Sequence, residues 1–192
     1  MSEQDRNKWN QRYAEDSYHK NNPVTLVEDW LPRLRVGRAL DVACGAGRNA
    51  IFLAQAGYRV DAIDISREGL NLARQEADNQ GLSINWIEHD LDLTYPFDTN
   101  YDLIIVMWYV DLGLVSRLCD CLAPGGNLIC EEHLITDQAV IGPTSSNYRV
   151  APGALREAVS GLDVLLYEES IEMNTEGEQV ASARVVVKKQ LT

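Results

Sequence analysis

Short apolar runs alternate along the chain with longer segments in which apolar positions recur every three or four residues. The short runs are typical of buried strands and the longer segments of amphipathic helices. Strands are predicted at 38–43, 58–63, 83–89, 101–107, 126–132, 162–173 and 179–188. Helices are predicted at 3–16, 24–34, 48–56, 67–79, 112–122 and 153–160. This alternation predicts a parallel sheet with helices on both faces.

Two connections between strands decide the topology. Segment 174–178 is turn-like and too short for a helical crossover, so the last two strands are predicted to form an antiparallel hairpin. Segment 90–100 has eleven residues, which reach about 36 Å when extended, whereas three strand spacings take only about 14 Å. The prediction is an α/β, doubly wound, seven-stranded sheet, mostly parallel with one antiparallel strand in a C-terminal hairpin.

Length and charge indicate one domain, residues 1–192, of a soluble protein. A net charge of −12 repels phosphate backbones, so no nucleic-acid partner is expected. The longest apolar run, 103–110, has eight residues where a bilayer span needs roughly 20, so no membrane partner is expected. The first residues lack the apolar stretch of a secretory signal, which predicts a cytoplasmic protein.

The four cysteines do not suggest a metal centre. Cys44, Cys119, Cys121 and Cys130 include no C-x-x-C pair and no spacing typical of zinc ligands. We therefore expect no metal and interpret these residues as small buried side chains.

A glycine-rich segment follows the first predicted strand and opens a helix, the usual place for a nucleotide-containing cofactor. It reads DVACGAGRNA at 41–50. The pattern Gly45-x-Gly47-x-x-Ala50, with Asp64 nineteen residues after Gly45, also satisfies the dinucleotide fingerprint. The motif alone therefore leaves an NAD-dependent oxidoreductase open.

Three aspartates at successive strand ends favour a different cofactor. Asp41, Asp64 and Asp90 stand at the ends of the first three predicted strands. A carboxylate at Asp41 would repel the pyrophosphate of NAD but attract an ammonium group. S-adenosylmethionine has an ammonium group, a ribose diol and an adenine, and no phosphate. It is the cofactor that this acidic series predicts.

The same segments resemble the motifs of class I S-adenosylmethionine-dependent methyltransferases, over about residues 36 to 188. The segments are LDVACGAG at 40–47, IDIS at 63–66, HDL at 89–91, LAPGG at 122–126 and the terminal hairpin. The resemblance implies a Rossmann-like core at 36–188, with Asp64 at the ribose, Ile65 against adenine and Asp90 at the adenine amine. Ala43 replaces the first glycine of the family's first motif.

Within that family, Trp9-x-x-Arg12-Tyr13 and the segment 47–50 resemble the branch that contains tellurite-resistance and thiopurine methyltransferases. The branch resemblance implies that Arg48, together with Arg12, pairs with the cofactor's carboxylate. It also implies that N-terminal helices within 1–35 cover the cofactor cleft. Glu172-Met173-Asn174 stands where tellurite enzymes have a His-Arg pair, which disfavours tellurite as the substrate.

The expected cofactor-binding residues come from these motifs and from the end of the fourth strand. They are Trp9, Arg12, Tyr13, Asp41, Ala43, Cys44, Gly45, Gly47, Arg48, Asn49, Asp64, Ile65, Asp90, Leu91, Val106 and Met107.

The methyl acceptor is expected to be a small molecule: a thiol, a chalcogen anion or a hydroxyl compound. Segment 106–109, at the end of the fourth strand, is apolar and aromatic and lacks the Asn/Asp-Pro-Pro pattern used on nucleic-acid bases. His133, at the end of the fifth strand, is the candidate proton acceptor, although nearby Glu131 and Glu132 would raise its pKa unless burial offsets them. His19 and His89 are weaker candidates.

Other properties stay open at this stage. Segment 141–153, which contains Tyr148 and Arg149, is long enough to be a lid over the substrate or a mobile surface loop. The protein is expected to be a monomer or a homodimer. The absence of an unambiguous catalytic base also leaves a non-catalytic module that binds the cofactor or a protein partner.

Overall fold

The computed structural model describes residues 3–15, 22–93, 97, 100–174 and 177–191. The strands are β1 Arg38–Val42, β2 Arg59–Asp64, β3 Asn85–Glu88, β4 Tyr101–Met107, β5 Leu122–His133, β6 Asp163–Met173 and β7 Gln179–Lys188. The α-helices are α1 Glu3–Ala14, α2 Thr25–Trp30, α3 Arg48–Gln55, α4 Arg67–Asn79, α5 Leu112–Asp120 and α6 Ala154–Ala158. Short 3-10 turns occupy Leu31–Arg33 and Ser146–Tyr148.

The strands form one sheet in the order β3-β2-β1-β4-β5-β7-β6. Strands β1 to β5 pair in parallel, and β7 is antiparallel to both of its neighbours. The chain reverses its direction across the sheet between β1 and β4, which is the topological switch point of a doubly wound sheet. The predicted fold class is confirmed, including the single reversed strand.

Apolar side chains cover both faces of the sheet. On one face, β1, β2 and β4 pack against α2, α3 and α4, with Val27 and Leu53 fully buried. On the other face, β4, β5 and β7 pack against α5 and α6, with Leu118 and Leu155 fully buried. The sheet is therefore fixed from both sides, and the carboxyl ends of its parallel strands meet at one edge, where ligands bind in such folds.

Two predicted elements differ in their extent. The helix expected at 24–34 ends at Trp30 and continues as a 3-10 turn, because Pro32 has no N–H with which to extend an α-helix. Strand β5 begins four residues earlier than predicted, since Leu122 pairs with Tyr101 ahead of a register shift. Residue 16 of the first predicted helix and His19 lie outside the described residues.

Within the described ranges, no helix is long and apolar enough to cross a membrane.

Candidate active site

The glycine-rich loop between β1 and α3 is a tight turn in the left-handed backbone region. Ala43, Gly45 and Gly47 have φ angles of 56°, 55° and 79°. Gly47 N donates to Cys44 O at 2.9 Å, which closes the turn. A Cβ on Gly47 would lie 2.7 Å from both the Ala73 Cβ and the Trp86 ring, so only glycine allows α3, α4 and β3 to approach this closely.

Asp41, at the end of β1, is a buried carboxyl group with an unsatisfied oxygen. The residue is 1% exposed, and its Oδ2 has no hydrogen-bond partner among the described residues. Burial raises its pKa to about 8, against the opposing influence of the Ala50 N–H and the Arg48 guanidinium. Such a group is stabilised by a ligand that brings a hydrogen-bond donor or a positive charge.

Asp64, at the end of β2, is buried and fastens the glycine-rich loop. One oxygen accepts from Gly45 N at 2.8 Å and the other accepts from Ser66 N at 2.8 Å. Burial nevertheless raises the pKa of Asp64. Asp64 therefore joins the loop to the start of α4, and each oxygen keeps a lone pair for a further donor.

The third predicted acid, Asp90, follows β3 and is half-buried, with its Oδ1 accepting from Asp92 N at 3.0 Å. Leu91 and Ile65 are buried beside these acids, at the same edge of the sheet. Asp41, Asp64 and Asp90 thus lie at the carboxyl ends of the adjacent strands β1, β2 and β3.

Sequence reasoning did not single out Tyr109, which lies just beyond β4. Its hydroxyl lies 3.5 Å from Asp92 Oδ1. Burial raises its pKa well above the ordinary value, and the carboxylates of Asp111, Asp90 and Asp64 act in the same direction. Tyr109 therefore faces the acidic cleft, which only the fold could reveal.

Helix α1 lies against the glycine-rich loop and the start of α4. Asn10 Oδ1 accepts from Ser66 Oγ at 2.8 Å and from Glu68 N at 3.2 Å. The Tyr13 ring packs against Gly69, and a Cβ on Gly45 would lie 2.2 Å from its hydroxyl oxygen. The structure thus brings the N-terminal aromatic residue to the loop expected to hold the cofactor.

The neighbours of Tyr13 on α1 form a stacked group. Trp9 stacks on Tyr13 with ring centroids 6.1 Å apart, and the Arg12 guanidinium lies over the Trp9 ring at 5.0 Å. Lys8 lies over Tyr148 at 5.4 Å, so α1 also touches the segment that follows β5.

Four of the expected cofactor residues have mainly structural surroundings. Asn49 is buried and its Oδ1 accepts from Val24 N at 2.9 Å, so this side chain ties α3 to the start of α2. Cys44, Val106 and Met107 are buried, and burial raises the pKa of Cys44. Their side chains belong to the two apolar clusters that cover the faces of the sheet.

His133, at the end of β5, lies on the other side of the cleft beside Trp108, with ring centroids 4.4 Å apart. Burial and the nearby Arg149 lower its pKa to about 4, and its buried Nδ1 has no partner among the described residues. Burial therefore outweighs any influence of Glu131 and Glu132, which is the alternative that the sequence left open.

The segment after β5 is fastened over His133 by Arg149. Its guanidinium donates to the carbonyl oxygens of Pro143, Leu134 and Ile141 at 2.7, 2.9 and 3.2 Å. A Cβ on Gly142 would come within 3.0 Å of the imidazole, so the segment is in contact with His133. This favours the lid interpretation over a loose surface loop.

A charged network adjoins this region on β5, β6 and β7. Arg184 Nε donates to Glu131 Oε1 at 2.8 Å, and its Nη1 donates to Glu172 Oε2 at 3.0 Å. Glu131 is buried, whereas Glu172 is exposed. Glu131 is therefore paired with Arg184.

In the part of the chain that the structure describes, no group of three acidic, histidine or cysteine side chains could hold a metal ion.

Part of the chain matches a known protein family. Residues 39–126, which run from β1 to the turn within β5, match the family model described as "Methyltransferase domain". This match and the sheet order together support a class I methyltransferase fold for the chain.

Two curated relatives resemble this chain. The chain is 27% identical over 168 residues to hemagglutinin 1 of Eikenella corrodens, covering 81% of this chain and 55% of that protein. It is 31% identical over 131 residues to the ubiquinone biosynthesis O-methyltransferase of Methylocella silvestris, covering 56% and 51%. The chain spans about half the length of these relatives.

Among solved structures, this chain is similar to TehB from Haemophilus influenzae. The TM-score is 0.78 at 20% sequence identity, with 94% of this chain and 67% of that chain covered. This likeness shows the shared fold.

Proposed function

We propose that this chain is an S-adenosylmethionine-dependent methyltransferase that acts on a small-molecule acceptor. The main observation in support is the buried Asp41, whose Oδ2 lacks a partner among the described residues at the end of β1. A cofactor with an ammonium group would donate to that oxygen and would stabilise the ionised form of the Asp41 carboxyl group. The pyrophosphate of NAD would instead meet a carboxyl group that must stay protonated.

The remaining residues fit the other parts of this cofactor. Asp64 offers acceptor lone pairs to ribose hydroxyls, and Asp90 offers them to the adenine amine. Arg48, close enough to act on the pKa values of both Asp41 and Glu131, is the cation for the cofactor's carboxylate. Tyr13 contacts the glycine-rich loop, and Trp9 stacks on Tyr13.

When bound, the cofactor supplies a methyl group on a positively charged sulfur, ready for transfer to a nucleophile. The chain's own residues bind and orient the cofactor and the acceptor, and they exclude water from the cleft. Such positioning of two reactants supplies roughly 7–11 kcal/mol of the activation barrier. The side of the cleft opposite the three aspartates is enclosed by Trp108, by His133 and by the segment 134–149, which Arg149 holds in place.

The surroundings of His133 favour an acceptor that needs no strong base. With a pKa of about 4, His133 is neutral at pH 7 and holds a proton only weakly. A thiol that ionises by itself, or a chalcogen anion, reacts without such help. We therefore place thiols and chalcogen anions ahead of alcohols as acceptors.

A second candidate is a non-catalytic binding module, favoured by the weak basicity of His133 and by the relative named as a hemagglutinin. A methyl-transfer assay with labelled cofactor over thiols, phenols, selenite and tellurite separates the two. Transfer to any acceptor excludes the module. Cofactor binding without transfer to any of them favours it.

A further inference from the structure

The chain leaves the sheet after β4 through two aromatic residues in an unusual turn. Trp108 has a φ of 62°, in the left-handed region that a tryptophan rarely adopts. Its N–H donates to Glu131 O at 2.8 Å, and the Tyr109 N–H donates to the side-chain Oε1 of Glu132 at 3.1 Å. A carboxyl group thus takes the place of a backbone acceptor and fixes the turn.

This turn sends two successive rings to opposite sides of the cleft. Trp108 packs on His133, on the side opposite the three aspartates. The Tyr109 hydroxyl lies near Asp92, and the charges of Asp64 and Asp90 act on it. The position of both rings therefore depends on how the Trp108–Tyr109 backbone is held.

Burial of the Glu132 carboxyl group at this place costs free energy. It is 0% exposed, and its Oε2 has no hydrogen-bond partner among the described residues. Burial raises its pKa well above the ordinary value, with Glu131 acting in the same direction. An apolar side chain of similar size would avoid the cost of burying a carboxyl group, so stability alone does not explain the glutamate.

We propose that Glu132 is a positioning residue that holds the Trp108–Tyr109 turn, and so sets the two rings that border the cofactor and acceptor sides of the cleft. The part of this inference that concerns the cofactor rests on the proposed function. The part that concerns the geometry of the turn does not.

The test compares Glu132→Gln with Glu132→Leu. Glutamine keeps an oxygen for the Tyr109 N–H and resembles the neutral form of Glu132, whereas leucine leaves that N–H without an acceptor. Near-ultraviolet circular dichroism of the free protein reports the rings, calorimetry with S-adenosylhomocysteine reports the cofactor side, and thermal denaturation reports stability. Glu157→Leu, at an exposed position on α6, is the matched control.

We expect Glu132→Gln to keep the aromatic spectrum and to bind the nucleoside within about threefold of the unchanged protein. We expect Glu132→Leu to change the spectrum and to weaken binding about tenfold or more. Its melting temperature should stay close to that of the unchanged protein, because removal of the buried carboxyl group offsets the unpaired Tyr109 N–H. If leucine leaves the spectrum and the affinity as they were, the inference is overturned.

Two further outcomes are distinguishable. If Glu132→Leu does not fold, Glu132→Met replaces it, because methionine adapts to irregular space and also lacks the acceptor oxygen. If the unchanged protein does not bind the nucleoside, the proposed function fails, while the aromatic spectra of the variants still test whether Glu132 holds the turn.

Discussion

At the level of a single residue, burial of the Asp41 carboxyl group lowers the stability of the free protein at neutral pH and is also the main argument for the cofactor. Its folded pKa of about 8 lies above the ordinary 3.8, so the folded protein binds a proton that the unfolded chain releases between these values. The contribution of Asp41 to stability is therefore fully present below pH 3.8 and is lost as the pH rises towards 8.

Asp41→Asn should accordingly stabilise the free protein, by about 1 kcal/mol at pH 8.5 and less at pH 6, while it weakens binding of S-adenosylhomocysteine. Thermal denaturation at both pH values and calorimetry measure the two effects. A variant that is less stable at pH 8.5, or that binds the nucleoside as well as before, would show that Asp41 is not an unsatisfied acceptor.

A substitution at Gly47 tests how closely the glycine-rich loop packs against α4 and β3. Gly47→Ala adds a methyl group at 2.7 Å from Ala73 and Trp86 and forces alanine to a φ of 79°. We expect a loss of about 2–4 kcal/mol in the free energy of unfolding. Gly81→Ala is the control: Gly81 has a φ of 68° and nothing lies within 4 Å of an added Cβ, so only the backbone cost of about 1–2 kcal/mol is lost. If urea unfolding shows the same loss of unfolding free energy in both variants, close packing at Gly47 does not explain the effect.

Several residues could be placed from the sequence and others could not. Asp41 and Asp64 follow apolar strands directly, so their position at the sheet edge depends on local pattern alone. The partner of Asn49 is Val24, 25 residues earlier in the chain, and the contact depends on how α2 crosses the sheet. The pKa of His133 depends on burial by a distant loop, which no local pattern encodes.

At the level of elements, α1 is held to the domain mainly by polar and aromatic contacts. None of its residues is buried, although Tyr13 and Asn10 contact the start of α4. A helix with so little buried surface contributes little to global stability. Its position over the glycine-rich loop suggests that its contribution is to ligand binding.

Asn10→Ala removes the acceptor for Ser66 Oγ and Glu68 N, so α1 should detach more readily. We expect the melting temperature to change by less than about 2 °C and the Kd for S-adenosylhomocysteine to rise about three- to tenfold. Asn7→Ala, at an exposed position on the same helix, is the control for both measurements. Unchanged affinity in Asn10→Ala would place α1 outside the binding site.

The strands and most helices were predictable because each is an uninterrupted apolar or amphipathic segment. The bounds of β4, β7 and α4 agree with the prediction to the residue. Those of α2 and β5 do not, since Pro32 interrupts the helix and the start of β5 depends on its pairing with β4. Pairing between distant segments is not visible in local periodicity.

For the whole molecule, the central claim is that the carboxyl ends of β1, β2 and β3 form one cleft for an S-adenosyl nucleoside. The acidity of the chain and the three aspartates of this cleft both oppose a phosphate-containing ligand. The fold itself does not distinguish an S-adenosyl nucleoside from a phosphate-containing dinucleotide, because doubly wound sheets bind either kind of cofactor at this edge.

Calorimetric titration of the full chain with S-adenosylhomocysteine, and separately with NAD, tests this claim most directly. The account predicts saturable binding of one S-adenosylhomocysteine per chain and no detectable heat with NAD at the same concentrations. Saturable binding of NAD without binding of S-adenosylhomocysteine would contradict it.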